Sequence, residues 1–163
     1  MIFPGHVAAA GLVSRALGTD MRATLAVSMF PDVVDKPVRW VFRLTPNDRI
    51  PAHTLLGWVC TSSLVRLLCG PRAAWGWFVG YGTHLACDEL NAHLNPGRIY
   101  FLWPFRRYRM HIGPTGLTSS IHDFSPASIV IEATLTVLAL SVWWAGARDQ
   151  GRGRESAQAD EAN

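Results

Sequence analysis

Ala73-Ala74-Trp75-Gly76-Trp77-Phe78-Val79-Gly80-Tyr81, continuing through Gly82-Thr83-His84-Leu85-Ala86-Cys87-Asp88-Glu89-Leu90, carries the fold in miniature. Its first half is apolar and aromatic. Its second half stays apolar but admits His84 and Asp88, four positions apart and therefore on one face of a helix. A helix of this length is close to a bilayer span. A histidine and a carboxylate on one of its faces need partners, since an unpaired charge in the bilayer costs about 2.5–3.5 kcal/mol on insertion scales.

Working outward, four more apolar segments emerge: Phe3 to Leu17, Arg22 to Val34, Ala52 to Cys69, and Ala127 to Ala147. The last is the best full span, interrupted by one acid, Glu132. Gly18-Thr19-Asp20 reads as a turn between the first two segments, and Gly70-Pro71 as a break between the third and fourth. Segments joined so tightly should be antiparallel neighbours. The expected fold is all-α, a multi-pass membrane bundle of four to five apolar helices. Residues 1–147 form one membrane-embedded domain, and 148–163 a polar, disordered tail.

Composition agrees. Of 163 residues, 49% are hydrophobic, 17% are charged and seven are Trp, against about a quarter charged in a soluble domain. Trp favours membrane interfaces. Mean hydropathy is only +0.15, so polar residues are mixed among the apolar ones. The net charge of +3 comes mostly from Arg lying between the apolar segments, which argues against a nucleic-acid partner. Cys60, Cys69 and Cys87 form no Cys-x-x-Cys pair and predict neither a disulfide framework nor a thiolate zinc site. Pro4, Gly5, His6 and Arg15 interrupt the first segment, which also lacks the basic leader of a signal peptide. The loops Lys36–Pro51 and Asn95–Ser125 hold Lys36, Arg39, Arg43, Arg49, Arg98, Arg106, Arg107 and Arg109. An up-and-down path puts both on one side, predicted to be cytoplasmic.

That path also gathers the polar residues. His6 opens the first segment, Asp32 and Asp35 close the second, His53 opens the third, and His84 and Asp88 lie in the second half of the fourth. All six fall toward one end of the bundle. Pro31 leaves two arrangements open: a helix continuing through it, or a new helix starting there. Both keep Asp32 and Asp35 adjacent. Three carboxylates drawn together must be protonated, paired or neutralised by metal. Imidazole mixed with carboxylate suits zinc, manganese or iron(II). One or two such ions would bind a hydroxide, the nucleophile of a hydrolase. Each residue also has a structural reading: an interfacial His6, an Asp32 cap, an Asp35 paired with Lys36 or Arg39, a His53 bonded to a carbonyl, a buried His84–Asp88 pair. Their coincidence at one end is what favours the site. His93 falls off the His84–Asp88 face, His111, His122 and Asp123 lie in a loop, and Arg66 either snorkels or pairs with Glu132.

The strings Phe30-Pro31-Asp32-Val33-Val34-Asp35-Lys36-Pro37, Ala52-His53-Thr54-Leu55-Leu56, Gly82-Thr83-His84-Leu85-Ala86-Cys87-Asp88 and Leu102-Trp103-Pro104-Phe105 resemble the bacterial and archaeal membrane-bound metal-dependent hydrolases. Some members of that family are linked to the DNA-damage response. The resemblance spans roughly residues 1–145. It implies a helical protein of the inner membrane whose ligand pattern is distantly similar to that of zinc-dependent phospholipase C and single-strand-specific nucleases. On that analogy His6, Asp32, Asp35, His53, His84 and Asp88 are metal-ligand positions. The chain departs from the family at Asp48-Arg49, where many members have His-Arg, and at Asn91, where many have Thr. The expected activity is hydrolysis of phosphate esters, including those of lipids, with Asp32, Asp35 and Asp88 as catalytic carboxylates, an unligated one taking the proton. The expected partners are the bilayer and that substrate. The alternative is a non-catalytic membrane protein whose cluster is structural or binds an ion.

Overall fold

The computed structural model describes residues 3–94, 100–109 and 125–161. Its elements are α1 (Phe3–Leu17), α2 (Met21–Ser28), α3 (Phe30–Trp40), α4 (Leu55–Cys69), α5 (Pro71–Leu94) and α6 (Pro126–Glu161). No strand occurs among the described residues.

Local chemistry sets the boundaries. Gly18 turns the chain with φ of +63°, and Asp20 then caps α2, its carboxylate accepting the Ala23 N–H at 2.7 Å. Pro31 has no N–H with which to continue α2. The chain therefore breaks at Met29 and Pro31 opens α3 in its first turn. Asp32 and Asp35 start a new helix, and α3 takes in the first part of the Lys36–Pro51 loop. Thr54 caps α4, accepting the Gly57 N–H at 3.1 Å and donating to the Pro51 carbonyl at 2.7 Å. Gly70, at φ +87°, ends α4 just before Pro71 opens α5.

α5 is the axis of the molecule. It touches α1, α2, α3, α4 and α6. Glycine makes the closest of these contacts possible: a Cβ built on Gly80 would lie 2.5 Å from the Thr24 carbonyl oxygen. α2 therefore packs backbone to backbone on α5, as small residues allow between membrane helices. Ala8, Ala9 and Ala10 on α1 are buried. Ala52, Tyr81 and Leu85 form the apolar centre, with Phe30, Trp58, Trp77 and Phe101 packed around it. The Tyr81 hydroxyl donates to the Ala52 carbonyl and ties α5 to the segment before α4.

Large apolar side chains face outward along α4 and α6, including Leu64, Leu67, Leu68, Val130, Val137, Leu140, Trp143 and Trp144. Soluble monomers rarely expose so much. Among the described residues one helical stretch, Pro126–Ala145, is long and apolar enough to cross a bilayer. α1 and α2, with 15 and 8 residues, are too short for an upright span. α4 is apolar but has 15 residues, and α5 is long enough with 24 but diluted by its polar residues. The all-helical expectation holds, whereas only the last of the expected spans meets this test. Helical backbone continues from the apolar part of α6 through 148–161, the stretch whose composition reads as a polar tail.

Candidate metal centre

Four elements converge at one end of α5. α1 brings His6, α3 brings Asp32 and Asp35, the segment before α4 brings His53, and α5 brings His84 and Asp88. His6, Asp35 and His84 are no more than 1% exposed and His53 is 7% exposed.

The facing atoms are closely spaced. His53 Nε2 lies 3.1 Å from His84 Nε2, 3.5 Å from Asp32 Oδ1 and 3.5 Å from Asp88 Oδ2. His84 Nε2 lies 3.8 Å from the same Asp88 oxygen. Ligand atoms about 2.0–2.1 Å from a tetrahedral zinc are about 3.3 Å apart, so Asp32, His53 and His84 have the spacing to hold one divalent cation. A second grouping, His6, His84 and Asp88, overlaps the first at His84. Asp88 faces both ways: Oδ1 is 3.3 Å from His6 Nε2, while Oδ2 faces His53 and His84. The His6 and His84 rings stack with centroids 4.0 Å apart and planes at 13°. Nδ1 of each is buried without a hydrogen-bond partner among the described residues, so the polar chemistry of both rings is directed through Nε2.

Asp35 stands apart from this set. Its carboxylate accepts the backbone N–H of Ala52 at 2.8 Å and of His53 at 3.0 Å, and lies 2.8 Å from His53 Nδ1. It sits behind His53, holding the ring so that Nε2 points into the cluster, the way carboxylates orient metal-ligating histidines. Expected as a ligand position and a catalytic carboxylate, it has the geometry of a positioning residue. Burial pushes the His53 imidazole toward its neutral form, but hydrogen bonds to Asp32 and Asp35 and the charge of Asp88 outweigh burial and raise its pKa to about 9. For Asp32, burial works to raise the pKa, and the His53 hydrogen bond and nearby positive charge more than reverse that, leaving it below the ordinary carboxylate range.

A family model described as YdjM inner membrane protein matches residues 2–151. The chain belongs to the YdjM inner membrane protein family. It is therefore an inner membrane protein, in keeping with the exposed apolar surface of α4 and α6. No curated protein and no solved structure matches it. The YdjM description gives a location and no activity.

In this YdjM-family chain two cations border the cluster. Lys36 Nζ is 2.7 Å from Asp32 Oδ2, and an Arg49 guanidinium nitrogen is 3.3 Å from Asp88 Oδ2. Arg49, with His53, Asp88, Glu89, Tyr100 and Phe101, lines a small cleft leading to the cluster. From sequence Arg49 reads as one of the topology-setting basic residues. The signal the sequence lacks is the connection after α3, which folds back over Asp88 and brings in the arginine. Tyr100 and Phe101 likewise give no periodic cue. His93 is exposed and bonds to the Glu89 carbonyl, off the site face as expected. Arg66 and Glu132 do not pair: Arg66 is exposed on α4 and Glu132 buried on α6, and those helices do not touch. His111, His122 and Asp123 lie outside the described residues.

Proposed function

We propose that this chain is a multi-pass, membrane-embedded metal-dependent hydrolase of phosphate esters, including lipid esters. The observation that carries the reading is the pair of overlapping groupings, Asp32 with His53 and His84 and His6 with His84 and Asp88, drawn from four parts of the chain into donor sets suited to zinc, manganese or iron. When bound there, such an ion lowers the pKa of a coordinated water and polarises a phosphoryl oxygen. Asp35 fixes the His53 tautomer, with Nδ1–H toward the carboxylate and the Nε2 lone pair toward the cluster. Arg49, at the cleft, offers a planar donor fork to an anionic ester. Asp88, within reach of both His6 and Arg49, serves as a ligand held in place by its ion pair with Arg49. The multi-pass reading rests on the apolar outer faces of α4 and α6, with α5 inside.

One observation favours the non-catalytic alternative. Asp32 has Lys36, Asp88 has Arg49 and Asp35 has His53, so each carboxylate has a cationic or protonatable partner without a metal. Elemental analysis of purified protein separates the two. The hydrolase reading expects near-stoichiometric zinc, manganese or iron in wild type, lost in Asp88→Ala, and phosphodiester or phospholipid hydrolysis that disappears with it. Metal-free protein whose stability ignores chelator would overturn it.

A further inference from the structure

A groove lies at the other end of the α4–α5 hairpin. Val59, Ser62, Ser63 and Arg66 on α4 face Trp75 and Phe78 on α5 across an open groove of about 360 Å³, within the range of small-ligand sites. Its polar residues lie along one side. Ser62 is only 9% exposed, and its buried Oγ has no hydrogen-bond partner among the described residues. Buried hydroxyls are rarely left so. One helical turn on, the Arg66 guanidinium is exposed and has no ion-pair partner among the described residues. The amino end of α5, at Pro71, closes the same end of the groove and adds its positive dipole. Beyond these groups the walls are apolar. Trp75 and Phe78 lie parallel, 6.1 Å between ring centroids and 13° between planes, and Leu67 and Leu68 beside the groove are 82% and 75% exposed.

We infer that this groove binds one anionic phospholipid of the inner membrane, its phosphate held by Arg66 and Ser62 and an acyl chain lying along Val59, Trp75 and Phe78. A hydrocarbon surface interrupted by an arginine and a hydroxyl that have no partner among the described residues matches an amphiphile carrying a phosphate. Arginine is the side chain suited to that group. The inner-membrane location puts such lipids around the helix. The site is separate from the His/Asp cluster, since roughly 15 Å of helix axis, at 1.5 Å per residue, lies between Arg66 and the start of α4.

The test is native mass spectrometry of the full chain after exchange into micelles doped equally with phosphatidylglycerol and phosphatidylcholine. The expected result is one retained phosphatidylglycerol per chain and little phosphatidylcholine. Arg66→Gln should lower that retention about ten-fold, the worth of one charge-assisted hydrogen bond, and Ser62→Ala about three-fold. Arg66→Lys should restore part of it. Arg66 is exposed, so its variants should elute from gel filtration as wild type does. Equal retention of the two lipids, undiminished phosphatidylglycerol in Arg66→Gln, or a lipid-free dimer sealed through this face would each overturn the inference.

Discussion

Nε2 of His53 and Nε2 of His84 lie 3.1 Å apart across 31 residues of chain. Two ring nitrogens approach this closely when one donates a proton to the other, or when both hold a common cation. Asp35 occupies Nδ1 of His53, which leaves Nε2 to fill one of those roles. Whether a proton or a metal lies between the rings decides whether this end of the molecule is a structural network or a reactive centre.

Asp35→Asn tests the positioning of His53. The amide keeps the shape but cannot accept from the Ala52 amide, the His53 amide and Nδ1 together. Metal affinity should fall about 10–100-fold, as on loss of other carboxylates that orient ligands. Isothermal titration with zinc checks this. Affinity equal to wild type would show that Asp35 does not set the ring.

The site should respond to pH in opposite senses with and without metal. His53 carries a raised pKa of about 9 against an ordinary 6.5. In metal-free protein the stability from its protonation should be complete below pH 6.5 and fade as pH rises through 9. A metal must displace that proton, so its apparent affinity should rise about ten-fold per pH unit up to the pKa. Thermal melts with and without zinc across this range check both slopes. Parallel pH profiles would count against His53 as a shared proton and metal site.

Arg49→Gln separates substrate binding from metal binding. The guanidinium borders the cleft, but the donor set does not need it. Metal content should persist, while kcat/KM on phosphodiesters falls about 100–1000-fold, as when a positioned donor is lost from a developing anion. If metal content falls with activity, Arg49 serves mainly to hold Asp88.

The α2–α5 contact offers a test of the fold independent of the site. Gly80→Ala places a methyl group 2.5 Å from the Thr24 carbonyl oxygen, and overpacking of this kind costs about 1–3 kcal/mol. Gly76→Ala, one turn earlier, meets nothing nearer than 3.9 Å and should be neutral or stabilising, since Ala favours helix. Melting temperatures in detergent compare the two. Equal effects would mean that α2 does not rest on α5 through Gly80.

Periodicity and punctuation were enough to read the existence of most helices, but not the break at Pro31, the extension of α3 to Trp40 or the helical backbone beyond residue 147. Apolar runs bounded by Gly18, Gly70 and Pro71 define those elements because these residues act on the backbone locally. The gathering of His6, Asp32, His53, His84 and Asp88 at one end was also legible, because alternating helix direction is a topological rule needing no side-chain detail. What required tertiary structure was the division of labour within the cluster. Asp32 and Asp35 are equivalent on paper. Only the return of the chain before α4 shows that Asp35 takes the amides of Ala52 and His53, while Asp32 faces the cluster. Arg49 entered the site for the same reason: an irregular connection has no period, so its path is set by what it packs against. Spacing along a helix decides which residues share a face. Which of them meet across the bundle depends on contacts distant in sequence, and those exist only once α5 has been surrounded.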